Sequence, residues 1–275
     1  MQMEEEKSRR YSSRTMSKKP YFESPQFTLY KGDCFKLLKY LEPKSIDMIF
    51  ADPPYFLSDG GVSCHSGKQV SVNKGKWDET LAPDDKLKYN RKWIRLCREV
   101  LKDNGTIWIS GTFHNIYSIG MALELEGFSI INNITWQKPN PAPNLACRCF
   151  TNSTETILWA RKQLTSKKKG KHLFNYELMK EQNGGKQMKD VWTIPLVTKD
   201  EKKYGKHPTQ KPLALLDRII EASTKEDDLV LDPFLGSGTT GISAVKHNRR
   251  FVGIENEKEY IKIAKLRYEE LEEGK

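Results

Sequence analysis

Residues 229–241 read LVLDPFLGSGTTG, and the reading of this stretch constrains the rest of the chain. Leu229, Val230 and Leu231 form an apolar run of the kind buried on both faces of a sheet. Asp232-Pro233 closes it, because proline has no N–H to give to a ladder. Gly236-x-Gly238-x-x-Gly241 follows, and Ile242, Ala244 and Val245 then continue as a short helix towards Asn248. Glycines there permit a tight turn and let a ligand come close to a helix N-terminus. The next run, FVGIE, ends in Glu255, at about the separation at which an acid meets ribose hydroxyls in dinucleotide folds. Strand, glycine turn, helix, strand and terminal acid together predict an adenosine-type pocket; a turn kept only for packing is the plainer alternative. A phosphate-cradling loop is disfavoured, since no Gly-Lys-Ser/Thr follows.

This unit begins near residue 228 and only residues 256–275 follow it, so most of its sheet must come from earlier strands. β-rich runs lie at 27–30, 46–50, 106–110, 130–136, 155–160, 229–231 and 251–254, which makes seven strands. Between them Trp93, Cys97, Val100 and Leu101 share one face of a helix expected to start near Asp84 or Asp85 and to end at an Asn104-Gly105 cap. Pro212 opens another helix, with Leu213, Leu216, Ile219, Ile220 and Ser223 on one side. Strands alternating with amphipathic helices predict an α/β fold: a mostly parallel seven-stranded sheet with helices on both faces.

A second stretch, ADPPYFLSDGG at 51–61, directly follows the apolar run 46–50. Asp52-Pro53-Pro54-Tyr55 cannot continue a sheet, so its shape serves something other than pairing. Open α/β sheets bind ligands at the carboxyl ends of their strands, and this tetrapeptide and the glycine turn both follow strand ends. The two motifs are expected to face one crevice.

At 275 residues, 37% hydrophobic and 30% charged, the chain is expected to be one large globular domain preceded by a flexible basic and polar tail at 1–25. No stretch approaches a membrane span and the start lacks the apolar core of a signal peptide, so a cytoplasmic location is expected. Five scattered cysteines without a C-x-x-C pair argue for reduced thiols, and no metal site is expected. The formal net charge of +10 favours a polyanionic partner. It gathers in two clusters, Arg161, Lys162, Lys167, Lys168, Lys169 and Lys171, then Lys199, Lys202, Lys203, Lys206 and Lys211.

Asp52-Pro53-Pro54-Tyr55, His207-Pro208-Thr209-Gln210-Lys211-Pro212 and Asp232-Pro233-Phe234-Leu235-Gly236-Ser237-Gly238, in this order, resemble the beta-class amino DNA methyltransferases over about 27–268. The resemblance implies a Rossmann-like S-adenosylmethionine-dependent methyltransferase fold with permuted motif order, filling 26–275. It implies that the Asp52 carboxylate and the Pro53 carbonyl accept the hydrogens of an exocyclic amine, with Pro54 fixing the backbone and Tyr55 stacking on a base rotated out of its helix. Phe234, Gly236, Ser237, Gly238 and Thr239 would wrap the methionine part of S-adenosylmethionine, Glu255 the ribose, and Asp33 with Cys34 the adenine, although Asp33 could simply cap a helix.

Target recognition in this class falls at 162–206 here, where Lys167, Lys168, Lys169, Lys202 and Lys203 would hold phosphates and Asn175, Gln182, Asn183, Gln187 or Arg148 could read bases. The glycine-bearing segment 56–80 could cover the site, and Lys138 to Asn144 could form a stiff loop beside it. Within the family, "FADPPYFLSDGG", "NITWQKPNPAPNLACR" and "STETILWARK" look most like the companion adenine methyltransferase of GATC-cutting restriction systems, a type also able to modify single strands. Adenine N6 is therefore expected, in double-stranded and also in single-stranded DNA, with a homodimer and a paired restriction endonuclease as further expectations. An N4-cytosine methyltransferase, a nicotinamide oxidoreductase and a non-enzymatic DNA-binding module are the rivals. The oxidoreductase has no use for Asp-Pro-Pro-Tyr, and the binding module explains only the lysines.

Overall fold

The structure is a computed structural model that describes residues 18–56, 62–65, 68–71, 80–141, 143–144, 147–164 and 171–274. Its main sheet has nine strands in the order β1-β2-β11-β10-β3-β6-β8-β7-β9. In chain order these are β1 (Phe22–Glu23), β2 (Phe27–Lys31), β3 (Ile46–Ala51), β6 (Leu101–Gly111), β7 (Phe128–Gln137), β8 (Thr154–Lys162), β9 (Val191–Thr193), β10 (Leu229–Asp232) and β11 (Arg250–Glu255). All seven expected strands are present, and two short ones, β1 and β9, extend the sheet at its edges. Strands β2, β11, β10, β3 and β6 run parallel, while β8 lies antiparallel to both β6 and β7. Residues 22 and 23, expected in the tail, pair with β2, so the ordered chain begins earlier than residue 26.

Period-two alternation sends successive side chains to opposite faces and creates two cores. Ile49, Ile107, Ile109, Leu229, Leu231 and Val252 face α1 (Cys34–Leu37), α2 (Pro83–Val100) and α3 (Ile116–Leu125). Met48, Phe50, Trp108, Val230 and Phe251 face α5 (Leu213–Ser223), α6 (Thr239–Lys246) and α7 (Lys258–Glu273). Helix α4 (Tyr176–Gln182) and β9 lie in the segment expected to be a separate target-reading insertion; β9 pairs with β7.

Helix α2 stops before the expected Asn104-Gly105 cap. Leu101 is already extended and enters β6, so Asn104 and Gly105 lie within a strand. Gly105 is there because a Cβ would come 2.7 Å from the Asp47 carbonyl of the neighbouring strand. Within 56–80, an antiparallel hairpin joins β4 (Val62–His65) to β5 (Lys68–Ser71). Residues 57–61, 66–67 and 72–79 of the expected cover lie outside the described residues, as do 1–17 of the tail and Ala142 of the Lys138–Asn144 loop.

Candidate active site

Strand β10 pairs with β3 on one side and β11 on the other, which sets the carboxyl ends of all three side by side. Asp52 to Tyr55 leave the end of β3, Asp232 and the glycine turn leave β10, and Glu255 ends β11. One cleft of about 650 Å³ is lined by all of them, together with Asp33, Cys34, His207 and Lys211. The expected meeting of the two motifs is therefore realised in a single space.

The glycine turn is shaped by contacts that only glycine allows. Gly236 has φ +52, and a Cβ on it would lie 3.0 Å from the His207 ring. Gly238, at φ +80, would place a Cβ 2.6 Å from the Ala264 Cβ of α7. Gly238 thus faces the helix behind the turn and does not line the cleft, contrary to its expected place around the cofactor. Phe234, Gly236, Ser237 and Thr239 do line it. The Ser237 carbonyl and the Thr239 hydroxyl both accept from the buried Arg267 guanidinium, at 2.8 and 2.9 Å. Sequence reading missed that arginine because it lies thirty residues on, on one face of a charged helix.

Asp232 is fully enclosed. One of its oxygens accepts from Phe234 N–H at 2.9 Å and the other from the Thr240 hydroxyl at 2.6 Å. Burial outweighs these bonds and pushes its carboxyl up to about 7. Glu255 accepts from Gly236 N–H and Glu257 N–H, both at 2.8 Å, so it braces the turn as well as facing the cleft. Asp33 caps α1 through Phe35 N–H at 2.8 Å, as the plainer reading had it, and also lines the cleft. Burial pushes the Cys34 thiol up to about 12, which makes it a neutral wall and not a nucleophile. Phe35, Tyr89 and Phe56 form an aromatic wall, with Tyr89 edge-on to the other two at ring separations of 5.1 and 5.2 Å.

At the other end of the cleft the tetrapeptide is tied down from several elements. The Tyr55 hydroxyl donates to Asp52 Oδ1 at 2.7 Å. Asn115, at the start of α3, donates to the Pro54 carbonyl at 3.2 Å. Tyr55 is only 5% exposed, held by its hydroxyl as well as lining the cleft, where stacking alone was expected of it. The Lys211 ammonium donates to Asp52 Oδ2 at 2.7 Å and to the Tyr55 hydroxyl at 2.8 Å. Lys211 stands in the second basic cluster and in the His207–Pro212 motif; it is buried, and belongs with Asp52 and Tyr55.

The other expected DNA contacts divide similarly. Lys167, Lys168 and Lys169 lie outside the described residues. Lys202 and Lys203 are exposed, but Lys203 pairs with Glu270. Lys162 is buried and donates to the Leu101 carbonyl. Asn175 donates to the Glu221 and Thr224 carbonyls, and Asn183 to those of Lys186 and Gln187, so both side chains hold structure. Among the described residues no group of His, Cys, Asp and Glu could hold a metal, and Cys34, Cys97, Cys147 and Cys149 are free thiols. No helix among them is long and apolar enough to cross a membrane.

A parallel sheet whose strand tips join a glycine-turn cradle to a buried Asp-Pro-Pro-Tyr has the architecture of the S-adenosylmethionine-dependent methyltransferases. Residues 46–266 match the N6/N4 DNA methylase family model. Type II methyltransferase M2.DpnII of Streptococcus pneumoniae is 64% identical over 251 residues, covering 91% of this chain and 92% of that protein. M2.MboI of Moraxella bovis is 53% identical over 255 residues, covering 92% of each. Among solved structures, the M1.HpyAVI–SAM complex is 33% identical with a TM-score of 0.66, covering 88% of this chain and 98% of that one. The cytosine-N4-specific PvuII DNA methyltransferase, 20% identical with a TM-score of 0.72 over 94% of each chain, shares the fold. The chain belongs to the N6/N4 DNA methylase family.

Proposed function

We propose that this protein transfers the methyl group of S-adenosylmethionine to the N6 amine of adenine in GATC, as the modification enzyme of a Type II restriction–modification system. The observation that carries this is the shared cleft: Asp52, aimed by Tyr55 and Lys211 and largely shielded from solvent, opens onto the same space as the Gly236 turn.

The residues present suit the donor. Although the chain carries a net charge of +10, this cleft is lined by Asp33, Asp52, Asp232, Glu255 and Glu257, which favour a sulfonium cation. Phe234, Gly236, Ser237 and Thr239 would hold its methionine part, Glu255 its ribose, and Asp33, Cys34 and the aromatic wall its adenine. Gly238 contributes by letting α7 pack close. When bound, S-adenosylmethionine supplies a methyl carbon whose bond to sulfur breaks, the electron pair staying on sulfur, as the adenine nitrogen forms the new C–N bond.

The amine's lone pair is shared with the purine ring, so it is a poor nucleophile. Asp52 and the Pro53 carbonyl accept its two hydrogens and draw the lone pair toward the methyl carbon, and Asp52 is placed to accept the proton that nitrogen releases. An aspartate at position 52 favours adenine over cytosine, by resemblance. The target adenine leaves its stack to reach the cleft, with the ring of Tyr55 against it, and single-stranded DNA is also accepted because the base is then already free. The catalytic domain takes in β1 at Phe22–Glu23 and runs on to 275, and 162–206 carries target recognition, with Lys202 and the lysines at 167–169 holding phosphates. The enzyme works in the cytoplasm, as a homodimer, beside a restriction endonuclease of the same specificity.

DNA treated with the wild-type enzyme should resist endonucleases blocked by GATC methylation, whereas DNA treated with Asp52→Ala should be cut completely. Undiminished cutting after wild-type treatment rejects GATC, and protection by Asp52→Ala rejects the role given to Asp52.

A further inference from the structure

Lys211 is more than a neighbour of Asp52. Its side chain is 6% exposed, and its ammonium lies 2.7 Å from Asp52 Oδ2, 2.8 Å from the Tyr55 hydroxyl and 3.5 Å from Glu155 Oε2. Glu155, at the start of β8, has a side chain only 12% exposed, and its other oxygen accepts from Lys138 at 2.6 Å. Its Oε2 makes no hydrogen bond among the described residues. Both oxygens of Asp52 are engaged, Oδ1 by Tyr55 and Oδ2 by Lys211. An amine entering the cleft therefore competes with an ammonium for Oδ2, and a charged donor holds a carboxylate more strongly than a neutral one. Glu155 Oε2, which that ammonium already meets in a long ion pair at 3.5 Å and which has no closer partner among the described residues, offers it a second seat.

We infer that Lys211 is a positioning residue serving two carboxylates in turn: it holds Asp52 as an aimed carboxylate before substrate enters, and passes to Glu155 Oε2 when the target amine takes Asp52 Oδ2. The inference rests on the reading of Asp52 as the acceptor of the amine hydrogens. Tyr55 keeps Oδ1 throughout, so the carboxylate does not rotate during the exchange. Lys138 stays on Oε1 and keeps the four-residue group of two carboxylates and two ammoniums neutral in both arrangements.

The charges around Asp52 support the first half. Burial raises its pKa, and the Lys211 ammonium opposes that rise. Glu155 on β8 adds negative charge nearby, Asp232 on β10 faces Asp52 as well but keeps its proton up to about 7, and Tyr55 donates a hydrogen bond that favours the ionised form of Asp52. Removing Lys211 leaves burial and the Glu155 carboxylate acting without the ammonium that opposes them at Asp52, so Asp52 would keep its proton to higher pH and lose its capacity to accept.

The test compares wild type, Lys211→Met, Glu155→Gln and Asp52→Ala, each first shown to melt cooperatively and to bind S-adenosylhomocysteine. The Asp52 carboxyl carbon is followed by NMR over a pH titration of the free protein, assigned by its absence in Asp52→Ala. In Lys211→Met its midpoint should rise by at least one pH unit, and an unchanged midpoint overturns the first half. In Glu155→Gln the ammonium has no second carboxylate, so the competent fraction falls: KM for target DNA should rise about ten-fold with kcat changed less than two-fold. Unchanged KM, or a fall in kcat alone, overturns the hand-over, and this arm stands even where Lys211→Met does not fold. Methyl transfer by Asp52→Ala would sink the reading of Asp52 itself, whereas an inert Asp52→Ala beside an unmoved titration in Lys211→Met sinks only the role of Lys211.

Discussion

Asp52 and Asp232 are carboxylates at the ends of adjacent strands, yet their surroundings assign them different work. Asp52 meets a phenol that holds one of its oxygens and an ammonium that can make way for a substrate at the other. Asp232 meets Phe234 N–H and the Thr240 hydroxyl, which fix the turn behind it. The folded protein keeps the Asp232 proton up to about 7, whereas the unfolded chain releases it near the ordinary value of 3.8. Between those values the folded form binds more protons, so this group's contribution to stability is present at low pH and is lost as pH rises toward 7. The Tm of the free wild type should therefore fall relative to that of Asp232→Asn between pH 5 and 7; a constant difference would remove the raised value. Asp52-Pro53-Pro54-Tyr55 was legible as a site because two prolines after a strand have no structural use there. The part Lys211 plays was not legible because a lysine's burial is not written in its neighbours: it stands in a cluster whose other lysines are exposed.

At the scale of elements, the strand–turn–helix unit 229–246 was readable because each glycine answers a local demand. Gly238 combines a left-handed backbone with the close approach of Ala264. Gly238→Ala adds about 1–2 kcal/mol of backbone strain before the overlap with α7 is counted. We expect a Tm lower by at least ~3 °C and weakened S-adenosylhomocysteine binding, since the turn must shift. Unaltered melting and binding would show that the turn tolerates a side chain. The end of α2 was misplaced by the sequence because Asn-Gly is a common helix stop, while Gly105 answers to the Asp47 carbonyl of another strand, a contact no local pattern reveals. Arg267 and Asn115 escaped notice for the same reason, each serving a loop far away in the chain.

At the scale of the molecule, seven strand positions and both helix layers were legible because the strands alternate cleanly between two apolar faces. The edges were not: β1 and β9 are two and three residues long, too short for any periodicity. Charge clustering also misled, since the sheet covers Lys162 and Lys211, leaving a smaller basic surface than the sequence suggests. What the whole arrangement does is bring two strand tips to one acidic cleft in a basic protein, where a cationic methyl donor and an extruded base can meet. The direct measurement is to methylate DNA with the purified enzyme and isotopically labelled S-adenosylmethionine, hydrolyse the product to nucleosides and identify the labelled one by mass. Label in N6-methyladenine alone is the expected result; label in N4-methylcytosine, or in no nucleoside, would contradict the account.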